Sequence, residues 1–275
     1  MKKYLLLGCV LLALAAISGI AVAGKTITLK GSDTMLQLGQ RWAEEYMKAN
    51  PGTAIQVTGG GSGVGIAALI NGATDICQAS RTMTAAEKLK LRDRYYSTGV
   101  EIPMAKDGVT LYINEKNPVN ELTMEQIRGI YTGAIKNWSA VGGPNADIVL
   151  YGRENSSGTY AFFREVALKN ADYSSSMQSL PGTSAVVNAV AKDVNGIGYG
   201  GAAYAKDVKE VAIKTAKGSF KPTAETVKSG QYPLSRNLFW YLKGKPSGDI
   251  KKLIDWALSP AGQEIVTKVG YFTIK

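Results

Sequence analysis

The chain of 275 residues contains no histidine. That absence removes the Ser-His-Asp triad, the Cys-His dyad and every histidine-ligated metal site from consideration. A hydrolase would have to work through a Ser-Lys pair or two carboxylates, and no S-x-x-K or paired-acid arrangement stands in a suitable context. Cysteine is almost as scarce, with Cys9 and Cys77 alone. Beyond the first 23 residues no run is apolar enough to span a bilayer. The chain also lacks heptads, internal repeats and low-complexity linkers. Binding without catalysis, metal or cofactor is the expectation these absences leave.

What is present begins with a leader. Lys2 and Lys3 precede the apolar run Leu5 to Ile20, and Ala21-Val22-Ala23 has the small residues of a cleavage site. The run holds 16 residues, short of the roughly 20 that a span requires. A signal peptide over residues 1–23 is therefore expected, with a periplasmic mature chain. Leu6-Leu7-Gly8-Cys9 resembles a lipoprotein box. Cleavage there would strand the main apolar run on the mature chain, so no lipid anchor at Cys9 is expected. Cys77 then stands alone in the run Asp75-Ile76-Cys77 and is expected to be a buried structural thiol.

The chain carries 32 basic and 22 acidic residues, net +10, which falls to +8 when Lys2 and Lys3 leave with the signal. The lysines are interleaved with acids, as in Lys206-Asp207-Val208-Lys209-Glu210, and no basic block marks a nucleic-acid partner. A positive field that steers an anion and a merely basic surface both fit this charge.

Strand-like and helix-like segments alternate, which predicts an α/β fold. Strands are expected over Thr26–Leu29, Ile55–Val57, Asp75–Gln78, Val109–Asn114, Asp147–Tyr151, Ile197–Tyr199 and Leu238–Tyr241. A helix after Thr34 would bury Met35, Leu38, Trp42 and Tyr46. Thr84 with Glu87, and Thr123 with Gln126, have the spacing of capping boxes. Ser259-Pro260 suits an N-cap followed by the first helical position.

One device recurs. A strand ends, a short Gly/Ser/Thr loop follows, and a helix starts, at Ser32–Thr34, at Gly59–Gly63 and at Ser156–Thr159. A helix start presents amides without intrahelical partners and a partial positive charge. Glycine lets an anion approach them, and hydroxyls add donors. Any one of these loops could be plain capping, since Ser and Thr are favoured N-caps. Three in one chain point to an oxyanion site. Gly59–Gly65 is followed by no Lys-Ser or Lys-Thr and is not a nucleotide-binding P-loop. Arg81 and Arg153 lie near two of the loops, and a guanidinium grips tetrahedral oxyanions in bidentate fashion. The alternative for each arginine is a surface position or a salt bridge. Asp75 fits a structural cap or pair.

At these residues the chain resembles the phosphate-binding proteins of bacterial phosphate ABC transporters, in particular their shorter-chain branch. The resemblance is carried by Gly31-Ser32-Asp33-Thr34-Met35, Gly59 to Gly63, Asp75 to Arg81, Leu122 to Trp138, Gly152 to Thr159, Ile197-Gly198-Tyr199, Tyr232-Pro233-Leu234 and Leu258 to Gln263. It implies a two-lobed periplasmic binding protein of the type II, Venus-flytrap kind, with a mixed sheet in each lobe and two hinge crossings. Lobe one would comprise residues 24–108 plus 236–275 and lobe two residues 109–235. It also implies a monomer that captures inorganic phosphate and presents it to a membrane permease.

Position by position, the resemblance implies donors from Thr34 and Met35 and from Ser62. The opposite lobe would supply Arg153, Ser157, Gly158 and Thr159. Ser32 and Ser80 lie beside these. Two departures stand out. The best-known members have an Asp, which accepts the proton of hydrogen phosphate, where this chain has Arg81. Asp33 is the candidate to take over that role, and its alternative is a carboxylate capping its own helix. Asn155 stands where an Asp often holds the site arginine, which leaves Glu154 to hold Arg153. A binder of sulfate, molybdate or tungstate would share the loops but need no proton acceptor. A phosphatase would need a base or a metal.

Overall fold

The structure is a computed structural model and describes residues 26–274. The predicted leader, Cys9 included, lies outside the described residues. The strands in chain order are β1 (Ile27–Gly31), β2 (Ile55–Thr58), β3 (Ile76–Ala79), β4 (Val100–Ile113), β5 (Glu121–Thr123), β6 (Val149–Arg153), β7 (Gln178–Leu180), β8 (Gly196–Gly201), β9 (Lys209–Thr215), β10 (Gly218–Phe220) and β11 (Ser235–Leu242). The α-helices are α1 (Leu36–Ala49), α2 (Ser62–Asn71), α3 (Ala85–Tyr95), α4 (Met124–Thr132), α5 (Gly158–Val166), α6 (Thr183–Lys192), α7 (Ala224–Lys228), α8 (Gly248–Ala257) and α9 (Pro260–Val269).

Helix α1 follows from its pattern. Leu38, Trp42 and Tyr46 recur every fourth residue and are buried. Arg41, Glu44, Glu45 and Lys48 occupy the other face and pair with one another at i,i+3 and i,i+4. Trp42 also donates its indole N–H to the Gly262 carbonyl at 2.8 Å, tying α1 to α9. Both capping boxes form, at Thr84 with Glu87 and at Thr123 with Gln126. Ser259 caps α9, with Pro260 in its first turn.

The sheet order is β2-β1-β3-β11-β4-β8-β6-β7, with β9 pairing β4, β5 and β10 off that path. Strands β2, β1 and β3 are parallel and joined by α1 and α2. Helix α2 lies directly on β1, because a Cβ on Gly65 would stand 2.5 Å from the Gly31 Cα. Strand β11 then runs antiparallel to both β3 and β4. Strands β6, β7 and β8 make a second parallel set, linked by α5 and α6.

Strand β4 joins the two halves of the molecule. Its residues 100–108 pair with β11, whereas Val109–Ile113 pair with β8 and β9. The sequence pattern shows only the second stretch as a strand. The first contains Pro103, Lys106 and Asp107, and its pairing with β11 shifts register between Leu238 and Phe239. A register irregularity of this kind is where a sheet tolerates proline.

One core packs around the edge-to-face pair Trp42–Trp240, with centroids 5.2 Å apart. It takes in Val186, Val187 and Val190 of α6, so apolar packing crosses between the halves. A second core surrounds Tyr131, Trp138 and the stacked pair Phe163–Tyr199, 4.1 Å apart. A small third cluster holds Cys77 beneath α2 and α3.

Candidate functional site

Three strand ends of the first half converge. Ser32 follows β1, Ser62 opens α2 after β2, and Ser80 follows β3. The Ser32 hydroxyl donates to the Ser80 Oγ at 2.9 Å. The Ser80 amide donates to the Ser62 Oγ at 3.0 Å, and the Ser62 and Ser80 hydroxyls stand 3.3 Å apart. Asp33 and Thr34 belong to a single 3-10 turn, Asp33–Met35, that leads into α1. The Met35 amide closes this turn on the Ser32 carbonyl at 3.0 Å.

The second half brings up the start of α5. Ser157 is its N-cap and accepts from the amides of Thr159 and Tyr160. The Thr159 hydroxyl meets that of Thr34 at 2.8 Å, across 125 residues of chain. The Gly63 amide donates to the Ser156 carbonyl at 2.9 Å. Gly158 presses on the serines so closely that a Cβ there would lie 2.3 Å from the Ser62 Oγ. Ser32, Thr34, Ser62, Ser80, Ser157 and Thr159 are all buried.

Arg153, at the end of β6, is 2% exposed. It donates to Asp33 Oδ2 at 2.6 Å and to the Thr183 Oγ1 at 2.9 Å. Its Nε has no hydrogen-bond partner among the described residues. The other Asp33 oxygen accepts from the Gly60 amide at 2.8 Å. Asp33 therefore holds Arg153, where the sequence suggested Glu154, and makes no side-chain cap to its own helix. The Tyr204 phenol donates to the Asp33 carbonyl at 2.7 Å, and the Tyr271 phenol donates to the Thr34 carbonyl. Burial raises the pKa of both phenols, which keeps them neutral donors.

Arg81 is directed elsewhere. It forms a two-point pair with Glu87, at 2.8 and 2.7 Å, and also donates to the Thr82 carbonyl. This is the salt-bridge alternative, and the geometry explains it. Glu87 is the N3 residue of the α3 capping box, so its carboxylate is fixed opposite Arg81. Burial pushes the Glu87 carboxyl up, but the bonds from Arg81 and the Thr84 amide outweigh it and hold the group below its usual range. Asp75 accepts from the amide and hydroxyl of Thr28, both at 2.9 Å, a structural arrangement.

Sequence reasoning missed Asp107, Thr183 and Arg236. Arg236 lies at the start of β11 opposite Asp107 of β4. It donates to Asp107 Oδ2 at 3.0 and 2.7 Å, to the Ser80 carbonyl at 3.1 Å and to the Thr159 Oγ1 at 3.0 Å. No Gly/Ser loop or helix start flags it. The available signal was its place at a predicted crossing between lobes.

The cluster is rich in donors. Hydroxyls from the ends of β1 and β3 and the starts of α2 and α5 gather here. Arg236 bonds Thr159 at the start of α5, Arg153 bonds Thr183 at the start of α6, and Asp33 and Asp107 are each tied to one of these arginines. That composition suits an anion with several acceptor oxygens and offers no activated nucleophile. No group of three or more Cys, Asp or Glu that could hold a metal occurs among the described residues. A groove of about 650 Å³, lined in part by Ser80, Arg81, Phe162, Arg236 and Phe239, adjoins the cluster.

Residues 18–261 match the family model described as a PBP superfamily domain. The chain is 32% identical over 263 residues to the phosphate-binding protein PstS of Pseudomonas aeruginosa, covering 89% of this chain and 81% of that one. It is 33% identical to PstS of Staphylococcus haemolyticus, covering 96% and 90%. A phosphate ABC transporter substrate-binding protein from Clostridium perfringens, solved with bound phosphate, superposes with TM-score 0.84 at 31% identity, over 91% of this chain and 100% of that one. An ABC-type phosphate transport receptor from Vibrio cholerae superposes with TM-score 0.73 at 28% identity, over 90% and 99%.

Proposed function

The chain belongs to the PBP superfamily and, within it, to the bacterial phosphate-binding proteins, and from that premise we propose that it captures inorganic phosphate outside the cytoplasm and delivers it to an ABC transporter. The meeting of Thr34 and Thr159 carries this reading. Donors from both halves converge there in a site shielded from water, as a tetrahedral anion requires. Thr34, Ser62 and Ser80 would face phosphate from one side, with Gly158, Thr159 and the start of α5 on the other. Arg153 would supply charge at the rim while Asp33 fixes its orientation. Ser32 supports Ser80, Ser157 shapes the start of α5, and Met35 sets the turn that carries Thr34. Arg81 anchors α3 from this position.

The lobes we assign are residues 24–108 plus 236–275 and residues 109–235, with crossings where β4 changes partner and where β11 begins. Phosphate contacts both lobes and favours the closed form through that differential affinity. No bond is made or broken on the ligand, so the protein acts as a receptor and not as an enzyme. Among the described residues no helix is long and apolar enough to cross a membrane. We further infer a periplasmic monomer, released from its leader near Ala23, that presents its closed shape to a membrane permease.

Calorimetric titration with phosphate, arsenate, sulfate and molybdate tests the reading. Tight binding of phosphate and arsenate with weak binding of sulfate is expected. Preference for sulfate or molybdate would move the assignment to another tetrahedral oxyanion.

A further inference from the structure

Arg236 contacts both halves of the molecule at the hinge. Its partner Asp107 lies on β4, one residue before the Gly108 that ends the β11-paired stretch. The Ser80 carbonyl and, at 3.4 Å, the Thr34 hydroxyl belong to the first half. The Thr159 hydroxyl at 3.0 Å and the Phe162 ring, 5.2 Å from the guanidinium carbon, belong to the second. The side chains of Arg236 and Asp107 are 4% and 1% exposed.

The geometry points to Arg236 as a positioning residue for anion capture, held in aim by Asp107. This rests on the phosphate-capture reading and deepens it. Arg236 Nη2 gives one proton to Asp107 and shares the other between the Thr159 Oγ1 at 3.0 Å and, more weakly, the Thr34 Oγ1 at 3.4 Å. Only one of the two hydroxyl protons is consumed in the Thr34–Thr159 bond. The other is left to donate, and the guanidinium polarises it for a negatively charged acceptor. Because Thr34 and Thr159 come from different lobes, the contact with both forms only on closure. Arg236 thus ties the orientation of the hydroxyls to the approach of the lobes.

Asp107 is dedicated to this task. One of its oxygens takes two bonds from Arg236, and the other, Oδ1, has no partner among the described residues. A buried ion pair gains little net stability, since desolvation offsets the attraction. Orientation of Arg236 explains the pair better than stability does.

A double-mutant cycle on phosphate affinity tests the inference, with Asp107→Asn, Thr159→Val and their combination titrated calorimetrically. Asp107→Asn should weaken phosphate binding by about tenfold or more, since it loosens a charge-assisted bond. The combined variant should bind no worse than the weaker single, because Asp107 acts on Thr159 through Arg236. Losses that multiply independently would overturn the inference, as would unchanged affinity in Asp107→Asn. If Asp107→Asn fails to fold with Arg236 unpaired, the neutral pair Asp107→Asn/Arg236→Gln serves. It should melt no lower than the parent yet bind phosphate about tenfold or more weakly. Parent-like affinity in that variant also overturns the inference. A parent that binds no phosphate removes the underlying reading and this inference with it.

Discussion

Arg153 and Asp33 lie 120 residues apart and meet at 2.6 Å, with side chains 2% and 14% exposed. The pair spans the two halves, so under the proposed hinge it forms as the lobes close. If the ligand-free form is open and holds the two side chains apart, Asp33→Asn should weaken phosphate binding by about tenfold or more while leaving the ligand-free melting temperature nearly unchanged. Both Asp33 oxygens already accept donors, from Arg153 and from the Gly60 amide. The losses for phosphate and sulfate should accordingly run in parallel when each is titrated calorimetrically. A loss confined to phosphate would instead assign recognition of the phosphate proton to Asp33.

Gly158 offers a test of closure itself. A Cβ there would lie 2.3 Å from the Ser62 Oγ and 2.6 Å from the Ser80 Oγ. Those contacts are to residues of the other half, whereas Gly158, at the first position of α5 and without a positive φ, would gain from alanine about 0.4–1 kcal/mol through the unfolded chain. Gly158→Ala should thus melt at or above the parent temperature without phosphate. It should also bind phosphate more weakly by about tenfold or more, because a methyl group in a packed contact forces strain. Scanning calorimetry and titration calorimetry give the two readings. Parent-like affinity would mean that the serines can retreat.

The sequence reveals whatever is local in this fold. The face of α1, both capping boxes and the Ser259-Pro260 start depend on spacing within a few residues, and all are found. The three helix-start loops were likewise visible as composition, and the structure gathers their hydroxyls at one point. What was hidden depends on partners far along the chain. Residues 100–108 of β4 are strand because β11 lies beside them, despite Pro103. Arg236 shows the same limit, since the carboxylate that directs it into the cluster, Asp107, lies 129 residues away. Arg81 differs: its partner Glu87 is six residues on, in a capping box that the spacing shows, but the box alone does not reveal that the carboxylate also takes the guanidinium.

Cys77 is fully buried in β3, and burial raises its thiol pKa strongly. In a chain beginning at Gly24 it should resist alkylation at mildly alkaline pH and react fully once denaturant is added. Mass spectrometry after a timed iodoacetamide pulse distinguishes the two states. Rapid labelling without denaturant would show that β3 and α2 open locally, since the thiolate is the reactive species.

Glu210 supplies a test in pH. It lies on β9 opposite Tyr112, is half-buried, and its Oε2 has no partner among the described residues. Burial raises its carboxyl above the ordinary value of 4.5. Between that value and the raised one, the folded chain holds a proton that the unfolded chain releases. Stability therefore falls as pH rises through this window, and the full cost persists above it. Glu210→Gln removes the charge and keeps the shape. The variant should melt above the parent at neutral pH, and the gap should close as pH drops below the ordinary carboxylate range, where the parent is protonated in both states. Melting curves of both proteins across that range decide the matter, because a gap that stays constant or widens in acid cannot come from the buried charge.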